Sequence, residues 1–228
     1  MENFCQIGKV SNKKISGISG VLFKPMSGSF EDKVVYDVCR REGSRLSSGG
    51  ELQYDLTKIY PGAINGEWHK TAGHYHSEGF PELFEVVEGS LITLLEKGSG
   101  AEGEIVEAYA IKAEAGDKVI IPPDFGFCSI NPSPDKSLII SNWIDTRARN
   151  MYEDIEKNHG LCYYITNTGS TAVSSIASPI KNPAYGKVPE LVWLKPQKLP
   201  PELENLDFLS FPQKYKKFLT IESLYKNI

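Results

Sequence analysis

The chain of 228 residues contains no apolar run that approaches the length of a membrane-spanning helix. Its start, Met1 to Lys14, is polar and has no apolar stretch before a small-residue cleavage site, so the sequence predicts no secretory signal. Basic residues are not in excess either, because the formal net charge is -4. The composition therefore predicts no nucleic-acid or membrane partner and favours a small-molecule ligand.

Cysteine is also scarce, and the four residues are far apart in the sequence: Cys5, Cys39, Cys128 and Cys162. With no close pair among them, this spacing argues against a zinc knuckle and against a dense disulfide framework. It favours a reducing, cytoplasmic location. A chain of this length buries a substantial core without cross-links, so a bound metal is expected to serve function rather than folding.

Short apolar or alternating runs, each ended by Gly, Pro, Asn or Asp, follow one another from Val34 to Trp143. This pattern is typical of an antiparallel β-barrel or sandwich. The runs are Val34 to Cys39, Leu52 to Tyr60, Leu83 to Glu88, Leu91 to Glu96, Val106 to Ile111, Lys118 to Ile121 and Leu138 to Ile144. Glu88-Gly89-Ser90 is the predicted turn of a hairpin, and the stretch from Pro212 to Tyr225 is a predicted short helix.

His74 and His76 are two residues apart, so on a strand both imidazoles point to the same face. Glu82 begins the next apolar run and reaches the same point if that run pairs antiparallel beside the histidines. Two neutral imidazoles and one carboxylate suit Fe, Mn, Ni, Co or Zn. The alternative is an ordinary pair of histidines that is exposed or hydrogen-bonded.

Two blocks of residues resemble the two motifs of the cupins. The first block is Gly73-His74-Tyr75-His76, Glu82 and Gly89, and the second is Gly116, Pro122 and Asn131. The resemblance implies an all-β fold, a cupin double-stranded β-helix (jelly-roll) barrel with N- and C-terminal extensions and few short helices. The predicted division is an N-terminal arm at 1–33, the barrel at 34–152 and a C-terminal extension at 153–228.

Further segments follow one another in a family-specific order and spacing: Val35-Tyr36-Asp37-Val38, Tyr60-Pro61-Gly62, Thr71-Ala72-Gly73-His74-Tyr75-His76, Glu82-Leu83-Phe84, Gly89 and Ile121-Pro122-Pro123. This closer resemblance, over roughly Val34 to Tyr152, is to the cupin-type phosphoglucose isomerases known mainly from archaea. It implies isomerisation of glucose 6-phosphate to fructose 6-phosphate in glycolysis and gluconeogenesis, by a cytoplasmic homodimer with one divalent metal (Fe, Mn, Ni or Zn) in each barrel. The implied metal ligands are His74, His76 and Glu82, with Glu82 also the catalytic base. The implied sugar-phosphate contacts are Thr57, Thr71 and Gly73 for the phosphate, and Tyr36 and Tyr152 for the sugar.

Phe127 departs from the family pattern, because it occupies the place of the last metal-binding histidine and cannot ligate. Cys128 is adjacent, but neighbouring strand residues face opposite ways. Three alternatives therefore remain open at this point. They are a cupin that binds a sugar phosphate without turnover, a different cupin enzyme such as another sugar isomerase or a metal-dependent oxygenase, and a structural cupin without a ligand.

Overall fold

Strands dominate the computed structural model, which describes residues 4–167 and 178–228. Every apolar run predicted to be a strand falls within one or ends one residue beyond it. The strands, numbered in chain order, are β1 (Lys9–Lys14), β2 (Val34–Arg45), β3 (Glu51–Ile59), β4 (Ala63–Ile64), β5 (Glu67–Trp68), β6 (Tyr75–His76), β7 (Glu82–Glu88), β8 (Ser90–Gly98), β9 (Ile105–Glu114), β10 (Lys118–Ile121), β11 (Gly126–Ile130), β12 (Leu138–Asp145), β13 (Asn150–Met151), β14 (Tyr163–Thr166), β15 (Ser178–Lys181), β16 (Val192–Pro196) and β17 (Tyr225–Asn227).

The helices of the described residues are all short. The α-helices are α1 (Glu153–Lys157), α2 (Asp207–Ser210), α3 (Pro212–Tyr215) and α4 (Ile221–Leu224), and the 3₁₀ turns are Ile15–Gly17, Ser19–Val21, Ser77–Gly79, Pro201–Leu203 and Lys216–Phe218. The helix predicted from Pro212 to Tyr225 is thus broken into short turns, because its apolar stripe is too short to hold one continuous helix against the core. Across residues 4–167 and 178–228, no helix combines the length and the apolar character needed to cross a membrane.

Two large sheets enclose the core. The first has the strand order β1-β2-β3-β12-β7-β10, and the second has the order β11-β8-β9-β16-β17. Strand β8 is buried along almost its whole length, whereas β9 alternates between buried and exposed side chains. Apolar residues from both sheets belong to one buried cluster. The prediction of an all-β cupin barrel with few short helices is therefore confirmed.

Gly89 corrects one local prediction. The turn at Glu88-Gly89-Ser90 is not a hairpin, because β7 pairs with β10 and β12 while β8 pairs with β9 and β11. The chain instead crosses at this turn from one sheet to the other. Gly89 has a φ of +85° and a side chain there would lie 2.7 Å from the Ser137 carbonyl oxygen, so the crossing requires glycine.

Cys5 and Cys39 form a disulfide, with Cα atoms 5.7 Å apart, while Cys128 and Cys162 are free thiols. The bridge joins the chain before β1 to the middle of β2. The segments outside the predicted barrel also supply strands to the two large sheets, β1 to the first and β16 and β17 to the second. The division of the chain at 33/34 and 152/153 stays a prediction.

Candidate metal and sugar-phosphate site

His74 and His76 face the same point, as the two-residue spacing predicts. Their Nε2 atoms are 3.1 Å apart. The backbone of His74 pairs with that of Phe127 in both directions, at 3.1 and 3.0 Å. Strand β6, which contains His76, pairs with β13. The histidine segment is therefore fixed by main-chain hydrogen bonds on both sides of the imidazole pair.

Glu82 reaches the histidines by a different route from the one expected. Its strand β7 pairs with β10 and β12, and not with the histidine segment. The carboxylate comes from the first large sheet, while His74 is bonded to β11 of the second. Glu82 Oε2 lies 3.4 Å from His76 Nε2. The three side chains thus meet across the interior of the barrel rather than along one ladder.

The donor atoms of these three residues all lie within 4.8 Å of one another. For metal–ligand distances of about 2.0–2.2 Å, neighbouring ligand atoms are roughly 3.0–3.5 Å apart, close to the His–His and His–Glu separations here. His76 Nδ1 lies 3.2 Å from the carbonyl oxygen of Phe80, to which it donates when neutral. That tautomer leaves the lone pair on Nε2, and a carbonyl behind a histidine is a common support for a metal ligand.

Glu82 Oε2 is buried and has no hydrogen-bond partner among residues 4–167 and 178–228. A buried carboxylate oxygen without a donor is costly unless a ligand or ion completes it. Burial lowers the pKa of His74 to about 3 and that of His76 to about 4, so both rings are neutral near pH 7. Burial also raises the pKa of Glu82 to about 8, so its carboxyl group is largely protonated near pH 7 unless a cation stabilises the charged form. The donor set therefore fits a divalent metal.

A cavity of about 510 Å³ adjoins this cluster. Its size is within the range of small-molecule sites. His74, Glu82 and all five predicted sugar-phosphate residues line it: Tyr36, Thr57, Thr71, Gly73 and Tyr152. The cavity wall therefore contains every predicted site residue except His76, whose Nε2 lies 3.1 Å from that of His74.

Thr71 and Gly73 are two of the predicted phosphate contacts. Thr71 Oγ1 accepts from the Ser129 backbone N–H at 3.0 Å, which leaves its hydroxyl proton for an acceptor in the cavity. Gly73 has a φ of +85°, and a side chain there would lie 2.7 Å from Leu161 Cδ1, so only glycine fits. This part of the wall thus combines a hydroxyl donor at Thr71 with backbone at Gly73 that no side chain covers, which suits an anion.

The two predicted aromatic contacts line the same cavity but differ in exposure. Tyr36 is buried, and burial raises the pKa of its hydroxyl to about 12, so it remains a neutral donor. Tyr152 is 40 % exposed, and its ring centroid is 5.6 Å from that of His74. Tyr152 therefore lies beside the histidines at the solvent side of the cavity.

Phe127 lies directly against both imidazoles. Its ring centroid is 4.6 Å from that of His74 and 5.4 Å from that of His76. Cys128 is also buried, but it is not part of the cavity wall, and burial raises the pKa of its thiol to about 12. An apolar ring thus fills the space beside the histidines, and the neighbouring thiol does not replace it as a ligand.

Four further polar residues that line the cavity, Arg40, Gln53, Asp55 and Asn142, were not predicted from the sequence. Asn142 Nδ2 donates to Glu82 Oε1 at 2.7 Å. Asp55 is buried, and Arg40 Nε and Gln53 Nε2 donate to it at 3.3 and 3.0 Å. Burial raises the pKa of Asp55. The sequence signal for these residues is a polar side chain at alternate positions of an otherwise apolar strand. This signal does not reveal which strand lies on the opposite side of the cavity.

Residues 12–182 match the sequence model of a family described as Glucose-6-phosphate isomerase (GPI). The match extends over more than half of the chain. The chain belongs to the glucose-6-phosphate isomerase family. The resemblance to the phosphoglucose isomerases, predicted over roughly Val34 to Tyr152, is confirmed.

Relatives within the glucose-6-phosphate isomerase family are similar at modest identity. The glucose-6-phosphate isomerase of Thermococcus litoralis is 34% identical over 109 residues, which are 47% of this chain and 53% of the relative. That of Sinorhizobium medicae is 26% identical over 148 residues, 64% of this chain and 65% of the relative. The chain spans about half the length of the archaeal relatives it matches.

Among solved structures, a cupin-2 domain containing protein from Shewanella frigidimarina is 18% identical, with a TM-score of 0.30. The similar part covers 46% of this chain and 78% of that one.

Proposed function

We propose that the protein interconverts glucose 6-phosphate and fructose 6-phosphate, as an aldose-ketose isomerase of glycolysis and gluconeogenesis. The observation that carries this proposal is the convergence of His74, His76 and Glu82 beside a cavity that also contains Thr57 and Thr71. Membership of the glucose-6-phosphate isomerase family supports the substrate class.

In this proposal the substrate phosphate binds at the donor-rich part of the wall. Thr57 and Thr71 donate from their hydroxyls, and the open backbone at Gly73 allows the phosphate to approach the main chain. Tyr36 and Tyr152 contact the sugar from the buried and the solvent side. This arrangement directs the C1–C2 end of the sugar toward Glu82.

The residues that would hold one divalent metal are His74, His76 and Glu82. When bound, Fe, Mn, Ni or Zn supplies Lewis-acid stabilisation of the negative charge that develops on the substrate oxygens.

Glu82 is the proposed base. Its carboxylate removes the proton from C2 and returns it to C1, while a second proton passes from O2 to O1, so the aldose becomes the ketose with no net gain of atoms. Asn142 donates to Oε1 and fixes the orientation of the carboxylate, which leaves Oε2 free for the site.

A second candidate function is a sugar-phosphate binding protein without turnover. Phe127 is the observation in its favour, because an apolar ring packs against both imidazoles in the place of a fourth ligand. Both candidates predict binding of the substrate analogue 5-phosphoarabinonate, and only the isomerase predicts turnover.

The test is a coupled isomerase assay on protein loaded separately with Fe, Mn, Ni and Zn, with elemental analysis of each sample. Turnover is expected with at least one metal, and Glu82→Gln is expected to lower kcat about 10²–10⁴-fold, the usual contribution of a general base. Glu85→Gln is the matched control, since Glu85 is on the same strand and is exposed. Analogue binding at full metal content with no turnover would favour the binding protein.

We further propose a homodimer in the cytoplasm, from the family resemblance and from the location expected for a sugar-phosphate substrate. Sedimentation equilibrium of the full chain tests the dimer, since a monomeric mass at micromolar concentration contradicts it.

A further inference from the structure

Tyr75 lies between the two histidines and points to the opposite face of the segment. On an extended chain, residues one apart face opposite sides, so Tyr75 is directed behind the site while His74 and His76 face it. Its ring packs over Gly126, where an added Cβ would lie 2.4 Å from Tyr75 Cζ. The absence of a side chain at Gly126 therefore makes the space that this ring fills.

Glu96 of β8 is the hydrogen-bond partner of Tyr75. Its Oε1 accepts from the hydroxyls of Tyr75 at 2.8 Å and Tyr185 at 3.0 Å, and its Oε2 accepts from the Cys162 backbone N–H at 2.6 Å. The side chain is 1% exposed. Burial raises the pKa of Glu96, and the same three hydrogen-bond donors oppose that effect. A buried carboxylate with three donors holds each of them in a defined place.

Two of these donors, Cys162 and Tyr185, belong to the chain beyond residue 152. The same part of the chain makes a second contact with the histidine segment, because Leu161 Cδ1 lies against the space beside Gly73. The segment at 161–162 therefore touches the residue before His74 directly, and through Glu96 it holds the residue after His74. This arrangement leaves little freedom for the backbone that carries the imidazoles.

We infer that Glu96 is a positioning residue for the metal centre. Through Tyr75 it fixes the backbone at 74–76 so that the two Nε2 atoms meet at one point. The chain beyond residue 160 is then part of the site although none of its described residues, 161–167 and 178–228, belongs to the metal-ligand cluster or the cavity wall. This inference rests on the proposed function, since it concerns the proposed ligands.

The experiment compares Tyr75→Phe and Glu96→Gln with the wild type in Co²⁺ affinity, measured by chelator competition, and in the visible spectrum of the bound Co²⁺. Tyr163→Phe is the matched control, because it removes a buried hydroxyl that donates to the Pro189 carbonyl and does not touch Glu96. The two test variants are expected to bind Co²⁺ roughly 10-fold more weakly, at the lower end of the effect of lost outer-shell partners, and to change its spectrum. Tyr163→Phe is expected to leave both unchanged.

A second measurement does not need metal: the ¹³Cε1–¹H signals of the His74 and His76 rings in the metal-free protein. These signals are expected to shift or broaden in Tyr75→Phe and Glu96→Gln but not in Tyr163→Phe. If the wild type binds no Co²⁺, the proposed metal site fails, and the ring signals alone decide the inference. The inference about Glu96 would be overturned if Tyr75→Phe and Glu96→Gln both kept the wild-type ring signals and, where Co²⁺ binds, the wild-type Co²⁺ affinity and spectrum.

Discussion

Two buried glutamates in this protein have opposite surroundings. Glu67 lies within 2.7 Å of Lys70 Nζ, and its other oxygen accepts from the Phe23 backbone N–H. Within the described part of the chain, Glu82 receives one hydrogen bond, from Asn142, and its other oxygen lies 3.4 Å from the Nε2 atom of His76, a ring that is neutral near pH 7 rather than a cation. Burial alone therefore does not distinguish a structural glutamate from a functional one. The balance of donors around the carboxylate does.

The largest effect on stability is expected at the buried ion pair of Glu67 and Lys70. Lys70→Met leaves Glu67 buried and without its cation, which should lower the free energy of unfolding by about 3–5 kcal/mol. Lys70 Nζ also donates to the Val21 carbonyl at 2.7 Å, so the chain before β2 loses an anchor as well. Urea denaturation followed by circular dichroism measures the change.

The control for Lys70 is Lys187→Met. Lys187 contacts Glu104 on the surface, where an ion pair contributes only about 0–1 kcal/mol. If Lys70→Met lowered the free energy of unfolding no more than Lys187→Met does, the buried Glu67–Lys70 pair would not stabilise the fold. The contrast between Glu67 as a structural glutamate and Glu82 as a functional one would then fail.

At Glu82 the expected loss is of metal binding rather than of stability. Asn142→Ala removes the one donor to this carboxylate and should weaken Zn²⁺ binding about 10–100-fold, as other lost outer-shell partners do. Isothermal titration calorimetry measures the affinity. Ser141→Ala is the control, because Ser141 is the preceding residue on β12 and does not line the cavity. Equal affinities in the two variants would mean that Asn142 has no role in orienting Glu82.

Phe127→His tests the same comparison by adding a potential metal ligand beside His74 and His76. The new imidazole would replace a ring that already packs against His74 and His76. We expect Zn²⁺ affinity to rise roughly 10-fold, a gain of about 1.4 kcal/mol in binding free energy. Phe127→Leu, which keeps the position apolar, should leave the affinity unchanged. An unchanged affinity in Phe127→His would refute the assignment of this position to a lost ligand.

The sequence was sufficient for the parts of this site that depend on local spacing. His74 and His76 could be assigned to one face because side chains alternate along a strand. The seven strands that coincide with apolar runs were equally predictable, since turn residues bound each run. Strand β11, which pairs with His74, was not among them, nor were β1, the short strands β4 to β6, or β13 to β17.

What the sequence could not supply are the pairings between distant segments. Gly89 has the turn chemistry of a hairpin, but whether the next strand pairs or crosses to the other sheet depends on the whole barrel. Glu96 lies in an apolar strand, and its donors are 21, 66 and 89 residues away. Asn142 is 60 residues from Glu82. Such contacts follow from sheet register, which no local pattern encodes.

Asp145 shares a feature with each of the two glutamates. It lines the cavity, as Glu82 does, and both of its carboxylate oxygens accept hydrogen bonds. Arg147 donates to it from Nε and Nη2 at 2.7 and 3.0 Å, and Ser210 donates from its hydroxyl at 2.5 Å. Burial raises the pKa of Asp145, but these hydrogen bonds outweigh it and hold the pKa below the usual value. The charged form is therefore the one that folding stabilises.

Since the folded pKa is the lower one, the stabilisation by Asp145 is complete above the unfolded value of about 3.9 and is lost as the pH falls through the folded pKa. Asp145→Asn should lower the free energy of unfolding by about 1 kcal/mol at pH 7, the net value of such hydrogen bonds. The difference should shrink as the pH falls below about 4. Asp154→Asn, at an exposed position of α1, should stay within about 0.5 kcal/mol of the wild type at each pH. Urea denaturation at a series of pH values measures both variants, and a difference for Asp145→Asn that grows as the pH falls would show that its carboxylate is not stabilised in the charged form.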